Sequence, residues 1–337
     1  MNRHQRIEEA LRGGTPDRVP VSAWGHFYHL ENSAEAMARS MLAFQERYDW
    51  DYMKVNPRAS YHCEGFGAEY TQSGVVGARP VCTRHPLHAA GDWRKLVPLS
   101  PSEGALGEHL RALDTLRRGL AGRVPFMMTV FSPLMIASFL AGLRSDFSNL
   151  RAVAGAVLGM YREDPQAVRA GLAAIAETFA AYVRRLAAGG VDGIYYATVW
   201  GSDLLVTPEE YRSLARPWDL QVLEAAAGLP FNMLHVCGNR IHFESMADYP
   251  AHAIHWDNHG ERNPPLDDPR ARPPRVIAGG VHRGLLASGT PEQVGVQARE
   301  ALRATGGRSF LLAPSCAIAL AETPEANLRA LRAAVEN

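Results

Sequence analysis

The sequence predicts an α/β fold: a (β/α)8 TIM barrel with a lid-like insertion between its second and third strands. Eight short apolar runs alternate with helical patterns along the chain, as expected for βα units around a parallel sheet. Polar residues follow every one of these runs, where a barrel gathers its chemistry. An open doubly wound sheet is the competing architecture. The 337 residues suit two domains at ~150 residues each, but one α/β barrel routinely fills ~250. We read residues 1–337 as a single barrel domain.

In order, the expected strands are VPVS from Val19, DYMKV from Asp51, VPFMMTVF from Val124 and GIYYATV from Gly193. They continue as FNMLHV from Phe231, AIHWD from Ala253, RVIAGGV from Arg275 and FLLAPS from Phe310. Helices are expected over residues 34–47, 107–120, 165–188, 208–227, 291–305 and 324–335. Three of them open on TPEE at Thr207, TPEQ at Thr290 and TPEA at Thr323. There the threonine oxygen takes a free backbone N–H, and proline has no N–H to lose. The segment 58–100 is rich in Gly, Pro and His and reads as a hairpin over the barrel mouth, with Tyr61, Phe66 and Tyr70 to pack it.

Composition narrows the function. Thirty-five basic residues balance thirty-five acidic ones, which gives no support to nucleic-acid binding. The stretch 124–143 is uncharged and long enough to span a bilayer, but it divides into a strand and the helix PLMIASFLAGL, so no membrane span is expected. Four cysteines are too few for a disulfide framework. The protein reads as soluble, reduced and cytoplasmic, and Cys63 and Cys82 as structural.

The strand ends then supply the candidates. Trp24 and His26 follow the first strand, Asn56 and Arg58 the second, Ser132 the third and Trp200 the fourth. His235 and Cys237 end the fifth, Asp257 follows the sixth, His282 the seventh and Cys316 the eighth. Residues two apart on an extended strand share a side, so His235 and Cys237 can face one ion with Cys316 joining from another strand. One imidazole and two thiolates suit zinc and leave a fourth position open. Against this, buried cysteines are common as small hydrophobes, and both readings stand on the residues alone. Asp257, His282 and Asn56 are the catalytic candidates; an aspartate after a strand also serves as a cap, and the Gly-Gly turn before His282 as a mere turn. Trp24, His26, Arg58, Ser132 and Trp200 are the substrate-binding candidates, with Trp24 and His26 equally suited to an aromatic core. No glycine fingerprint for a nucleotide phosphate occurs in a strand–turn–helix context.

The opening RIEEALRGGTPDRVPV, TVFSPLMIASFLAG, GVDGIYYATVWGSDLLVTPEEYRSLARPW and the ending GGVHRGLLASGTPEQV…FLLAPSCAIALAETPEANLRAL resemble the uroporphyrinogen decarboxylase superfamily over essentially the whole chain. The resemblance implies a (β/α)8 barrel and two enzyme classes, the porphyrinogen decarboxylases and the zinc-dependent methylcobamide:coenzyme M methyltransferases. The decarboxylases carry an R-Q-A-G-R loop after the first strand, where this chain has AWGHFYHLE without an arginine. They place an aspartate where Asn56 stands, and a histidine where Cys316 stands. Only Arg58 and Arg283 remain to meet an eight-carboxylate tetrapyrrole. The methyltransferase branch uses an H-x-C…C zinc site, which His235, Cys237 and Cys316 match. This resemblance implies Zn2+ as cofactor, a small-molecule substrate, a thiol, as acceptor, and a methylated corrinoid as co-substrate, presented by a separate corrinoid protein. The alternative is a decarboxylase-like lyase, or a ligand-binding barrel without methyl transfer. The first-loop residues His26 and His29, and His282, match no known substrate contact.

Overall fold

The structure, a computed structural model, describes residues 1–271 and 275–336. Among these are nine strands: β1 (Met53–Val55), β2 (Glu69–Thr71), β3 (Val81–Arg84), β4 (Phe126–Phe131), β5 (Gly193–Thr198), β6 (Met233–Val236), β7 (Ala253–Trp256), β8 (Val276–Val281) and β9 (Phe310–Pro314). Seven form one curled parallel sheet in the order β1-β4-β5-β6-β7-β8-β9, and β2 pairs with β3 in a separate antiparallel ribbon. Helices cover the sheet. Outward side chains such as Met128, Tyr196, Leu234 and Trp256 pack into the layer beneath them. Inward ones such as Met127, Tyr195, Met233, Ala253 and Leu311 pack on one another in the lumen. Burial on both faces is why these strands read as nearly unbroken apolar runs.

The first expected strand differs. Val19–Ser22 forms no ladder; Val21 makes one isolated parallel bridge to Leu312 of β9. Ser22 N–H donates to Leu312 O, and Val21 O accepts from Asp51 N–H beside β1, so this short segment links the two edges of the sheet. Val21 N–H is taken by the Asp51 carboxylate at 2.9 Å, and Pro20 has no N–H, which leaves too few donors for a regular strand. Asp51 also accepts from Arg6 at 2.8 Å and Arg18 at 2.9 Å. Arg6 lies on a helix not expected from the sequence, Arg3–Leu11, whose Ile7 and Ala10 join the lumen cluster.

The stretch 124–143 folds as β4 followed by the helix Pro133–Leu140. No helix among the described residues is long and apolar enough to cross a membrane. The helix expected over 208–227 is two, Pro208–Leu214 and Arg216–Glu224, because Pro217 cannot supply the N–H that would continue the first. Helices Leu150–Glu163 and Arg283–Ser288 were not expected. Thr207 and Thr290 close capping boxes with Glu210 and Gln293. Thr323 does not cap: its hydroxyl donates back to Ala319 O at 2.9 Å, and the helix Glu325–Ala333 begins after Pro324 instead.

The segment 58–100 is ordered around the β2–β3 ribbon, a short helix Tyr61–Glu64 and a 3-10 turn Ala90–Lys95. It lies against the C-terminal end of β4: Tyr61 donates to Thr129 O, and His62 Nε2 accepts from Phe131 N–H at 3.2 Å. Its base is held by His109, which accepts from Arg58 N–H through Nε2 and donates from Nδ1 to Ala105 O. Burial pushes the His109 pKa down to about 4. The unfolded chain takes this proton near 6.5, the folded one only near 4, so stability falls as pH drops through that window. At pH 5 the wild type should therefore have lost about 2 kcal/mol that His109→Gln retains. Urea denaturation of both proteins at pH 7 and pH 5 checks this, and equal losses contradict it.

Candidate metal centre

All seven strands of the main sheet are parallel, so their C-terminal ends share one end of the fold. Asn56, Ser132, Trp200, Asp257, His282 and Cys316 each follow a different strand there, and His235 sits within β6. Three candidates converge. One ligand atom from each of His235, Cys237 and Cys316 lies within 4.8 Å of the other two. Cys316 Sγ stands 3.6 Å from His235 Nε2. Ligands bound tetrahedrally at ~2.0–2.3 Å are about 3.5 Å apart, so this donor set fits zinc with little movement.

The imidazole is oriented from behind. His235 Nδ1 lies 3.2 Å from the carbonyl oxygen of His255. A carbonyl only accepts, so Nδ1 carries the proton and Nε2 presents its lone pair toward Cys316. The register places Ala197, His235, His255 and Ala278 side by side across β5–β8. His255 is itself pinned: its Nδ1 accepts from Tyr195 OH at 2.8 Å, and its Nε2 donates to Pro314 O at 2.8 Å. Burial pushes the His255 pKa down to about 3, which keeps the ring neutral. Cys316 is held well below the usual thiol range by the hydrogen bond from Cys237, aided by Arg283 and against its burial. Cys237 is pushed up by giving that hydrogen bond and by burial.

The other candidates occupy varied places. Trp24 is buried, with its ring against Tyr195 and His255 at 5.6 and 5.2 Å. Asn56 is buried and accepts from Lys54. Asp257 is half-buried near Cys237 and accepts from His259 N–H at 3.0 Å. The His282 ring meets His259 at 5.8 Å. His26 pairs with buried Glu31 at 2.7 Å and stacks on Tyr28. Ser132 caps the helix Pro133–Leu140, and Trp200, fully buried, donates to Ser138 Oγ at 2.9 Å. Arg58 is committed to Glu64 and Glu108, at 2.7 and 2.8 Å. Cys63 is buried and Cys82 half-buried, both free.

Three residues of this region were not singled out from the sequence: Lys54, Tyr195 and His255. Each had a signal. Lys54 is a charge inside an apolar strand, two residues before Asn56, and His255 stands two before Asp257.

Comparison with known proteins agrees with this architecture. The Methanosarcina mazei methyltransferase superposes with a TM-score of 0.83 at 22% identity, covering 100% of this chain and 98% of that one. A B12-independent methionine synthase from Shewanella has a TM-score of 0.59 at 14% identity, over 95% and 97% of the two chains. These likenesses are of fold. In sequence, a uroporphyrinogen decarboxylase from Anaeromyxobacter dehalogenans is 24% identical over 326 residues, 92% of this chain and 87% of its own. The uroporphyrinogen decarboxylase (URO-D) profile matches residues 2–337, and with a match across nearly every residue the chain belongs to that family.

Proposed function

We propose that this protein is a zinc-dependent methyltransferase that moves a methyl group from a methylated corrinoid to a thiol. The observation that carries the reading is the converging donor set of His235, Cys237 and Cys316 at the strand ends. Bound there, zinc lowers the pKa of a thiol in its open fourth position, so the sulfur is anionic at neutral pH. The chain's residues do the rest. His255 O holds the His235 tautomer, and Tyr195 OH and Pro314 O hold His255 in turn. Ala197 and Ala278 flank the two histidines in the register. In the reaction the sulfur–carbon bond forms as the cobalt–carbon bond breaks, and the corrinoid keeps that electron pair. The corrinoid, on a carrier protein, approaches from the end where the strands terminate, while the ribbon-bearing segment 58–100 serves as a lid. Asp257 and Asn56 assist at the site, as does His282.

The decarboxylase reading is weaker for a physical reason. A tetrapyrrole with eight carboxylates needs free cations, and Arg58 is already neutralised by two glutamates. The test incubates the zinc-loaded protein with methylcobalamin and 2-mercaptoethanol. We expect thiol-dependent loss of methylcobalamin with one methyl thioether formed per corrinoid consumed. Carbon dioxide release from uroporphyrinogen, with no thioether formed, would reverse the assignment.

A further inference from the structure

The first loop carries a histidine backed by a buried acid. His26 Nδ1 lies 2.7 Å from Oε1 of Glu31, and the Glu31 side chain is fully buried. A carboxylate only accepts, so Nδ1 carries the proton and Nε2 keeps its lone pair. Glu31 is fixed in turn, since its Oε2 accepts from Ala59 N–H at 3.2 Å. Tyr28 stacks on the imidazole, with ring centroids 4.8 Å apart and planes within 3°. Among the described residues Nε2 has no hydrogen-bond partner, and the His26 side chain keeps 19% of its exposure. One nitrogen is therefore held from behind while the other stands open.

This loop runs beside the one that carries Cys316. Gly25 bridges Ile318 in parallel, and Ile318 N–H donates to Trp24 O at 2.9 Å. A Cβ on Gly25 would meet Ile318 O at 2.5 Å, so only glycine lets the two loops approach so closely. The dyad and Cys316 also share neighbours: charge on Glu31 and on Cys316 reaches both Tyr28 and Lys54. His26 thus opens on the same mouth as the donor set.

An imidazole oriented by a carboxylate, with its second nitrogen free, is built to take a proton. A thiol gives up a proton on becoming a thiolate, and the lone pairs of His235, Cys237 and Cys316 are committed to zinc in that reading. We propose that His26 is the general base of the reaction and Glu31 the positioning residue behind it. This rests on the thiol reading above. The S–H bond breaks, its electron pair stays on sulfur, and the proton passes to His26 Nε2. The imidazolium pairs with the Glu31 carboxylate and returns its proton to water through the exposed edge. The sulfur pair then forms the bond to the methyl carbon.

Two readouts test this at mildly alkaline pH. Nitrogen NMR of the metal-free protein should show the His26 ring protonated at Nδ1 alone. A ring that carries its proton on Nε2, or on both nitrogens, overturns the base. Kinetics with the zinc-loaded protein and methylcobalamin then compare 2-mercaptoethanol, still largely protonated, with trifluoroethanethiol, largely ionised without help. His26→Gln should lower kcat/KM about 100-fold or more with the first thiol and no more than about threefold with the second. Equal losses with both thiols, or no loss, overturn the base and leave the thiol reading standing. A wild type inactive with both thiols removes the thiol reading, and the base falls with it. Should His26→Gln lose its circular dichroism spectrum, Glu31→Gln takes its place, because an amide still accepts from Nδ1–H but cannot pair with an imidazolium. A loss of about tenfold confined to 2-mercaptoethanol supports the proposal, and an equal loss with both thiols, or none, overturns it.

Discussion

Replacing Cys316 with serine should lower zinc affinity by at least about 100-fold, a loss at the upper end of what altering even a supporting residue costs, and leave the fold intact. The ligand is lost outright, because a serine hydroxyl at neutral pH is neither soft nor ionised as the thiolate is. The fold survives because Cys316 lies beyond the end of β9, half-buried, and outside both clusters of buried apolar side chains. A stability change within ~1 kcal/mol is therefore expected. Competition against a chromogenic chelator reads the affinity, and thermal unfolding of the metal-free proteins reads the fold. Unchanged affinity would mean that Cys316 is not a ligand, and the thiol chemistry would lose its site.

Asp219 should be the most destabilising single site on the opposite side of β5. Its carboxylate is fully buried and accepts from Tyr196, Tyr211 and Tyr249, each at 2.7 Å. These hydroxyls come from β5, from the helix Pro208–Leu214 and from the segment after the turn Phe243–Met246. Asp219→Ala leaves all three without their acceptor in a dry interior, and we expect a loss of about 3–5 kcal/mol. Tyr196 and Tyr195 are neighbours on one strand, so the first fastens β5 to its helices while the second faces the lumen. A slip of one residue would exchange them, which ties this buried carboxylate to the placement of His255 and Lys54. Urea denaturation measures the loss, and a change below about 1 kcal/mol would show that the tyrosines find other partners.

What could be read from the sequence follows from where each signal arises. β5 is legible because Ile194 and Tyr196 pack outward while Tyr195 and Ala197 pack inward, so every position is apolar or aromatic. His235 and Cys237 are legible because strand periodicity is a local property. Their convergence with Cys316, eighty-one residues from His235, needed either the fold or a resemblance. Lys54 and His255 were passed over because their roles depend on register: only the pairing of His235 with His255 shows that the two rings are adjacent. Arg58 looked like a free cation because nothing local announces Glu108 as its partner. The segment at Val19 looked like a strand because its composition suits one. The competition for its N–H is settled by Asp51, thirty residues away.

The central claim is one zinc ion held by one nitrogen and two sulfurs, with a fourth position that a substrate thiol fills. X-ray absorption at the zinc edge, combined with metal analysis of the purified protein, tests it most directly. The expected result is one zinc per chain with two sulfurs at about 2.3 Å and one nitrogen near 2.0 Å. Adding thiol should raise the sulfur count to three. A zinc-loaded protein whose first shell holds only oxygen and nitrogen, or a chain that retains no zinc after reconstitution, would contradict it.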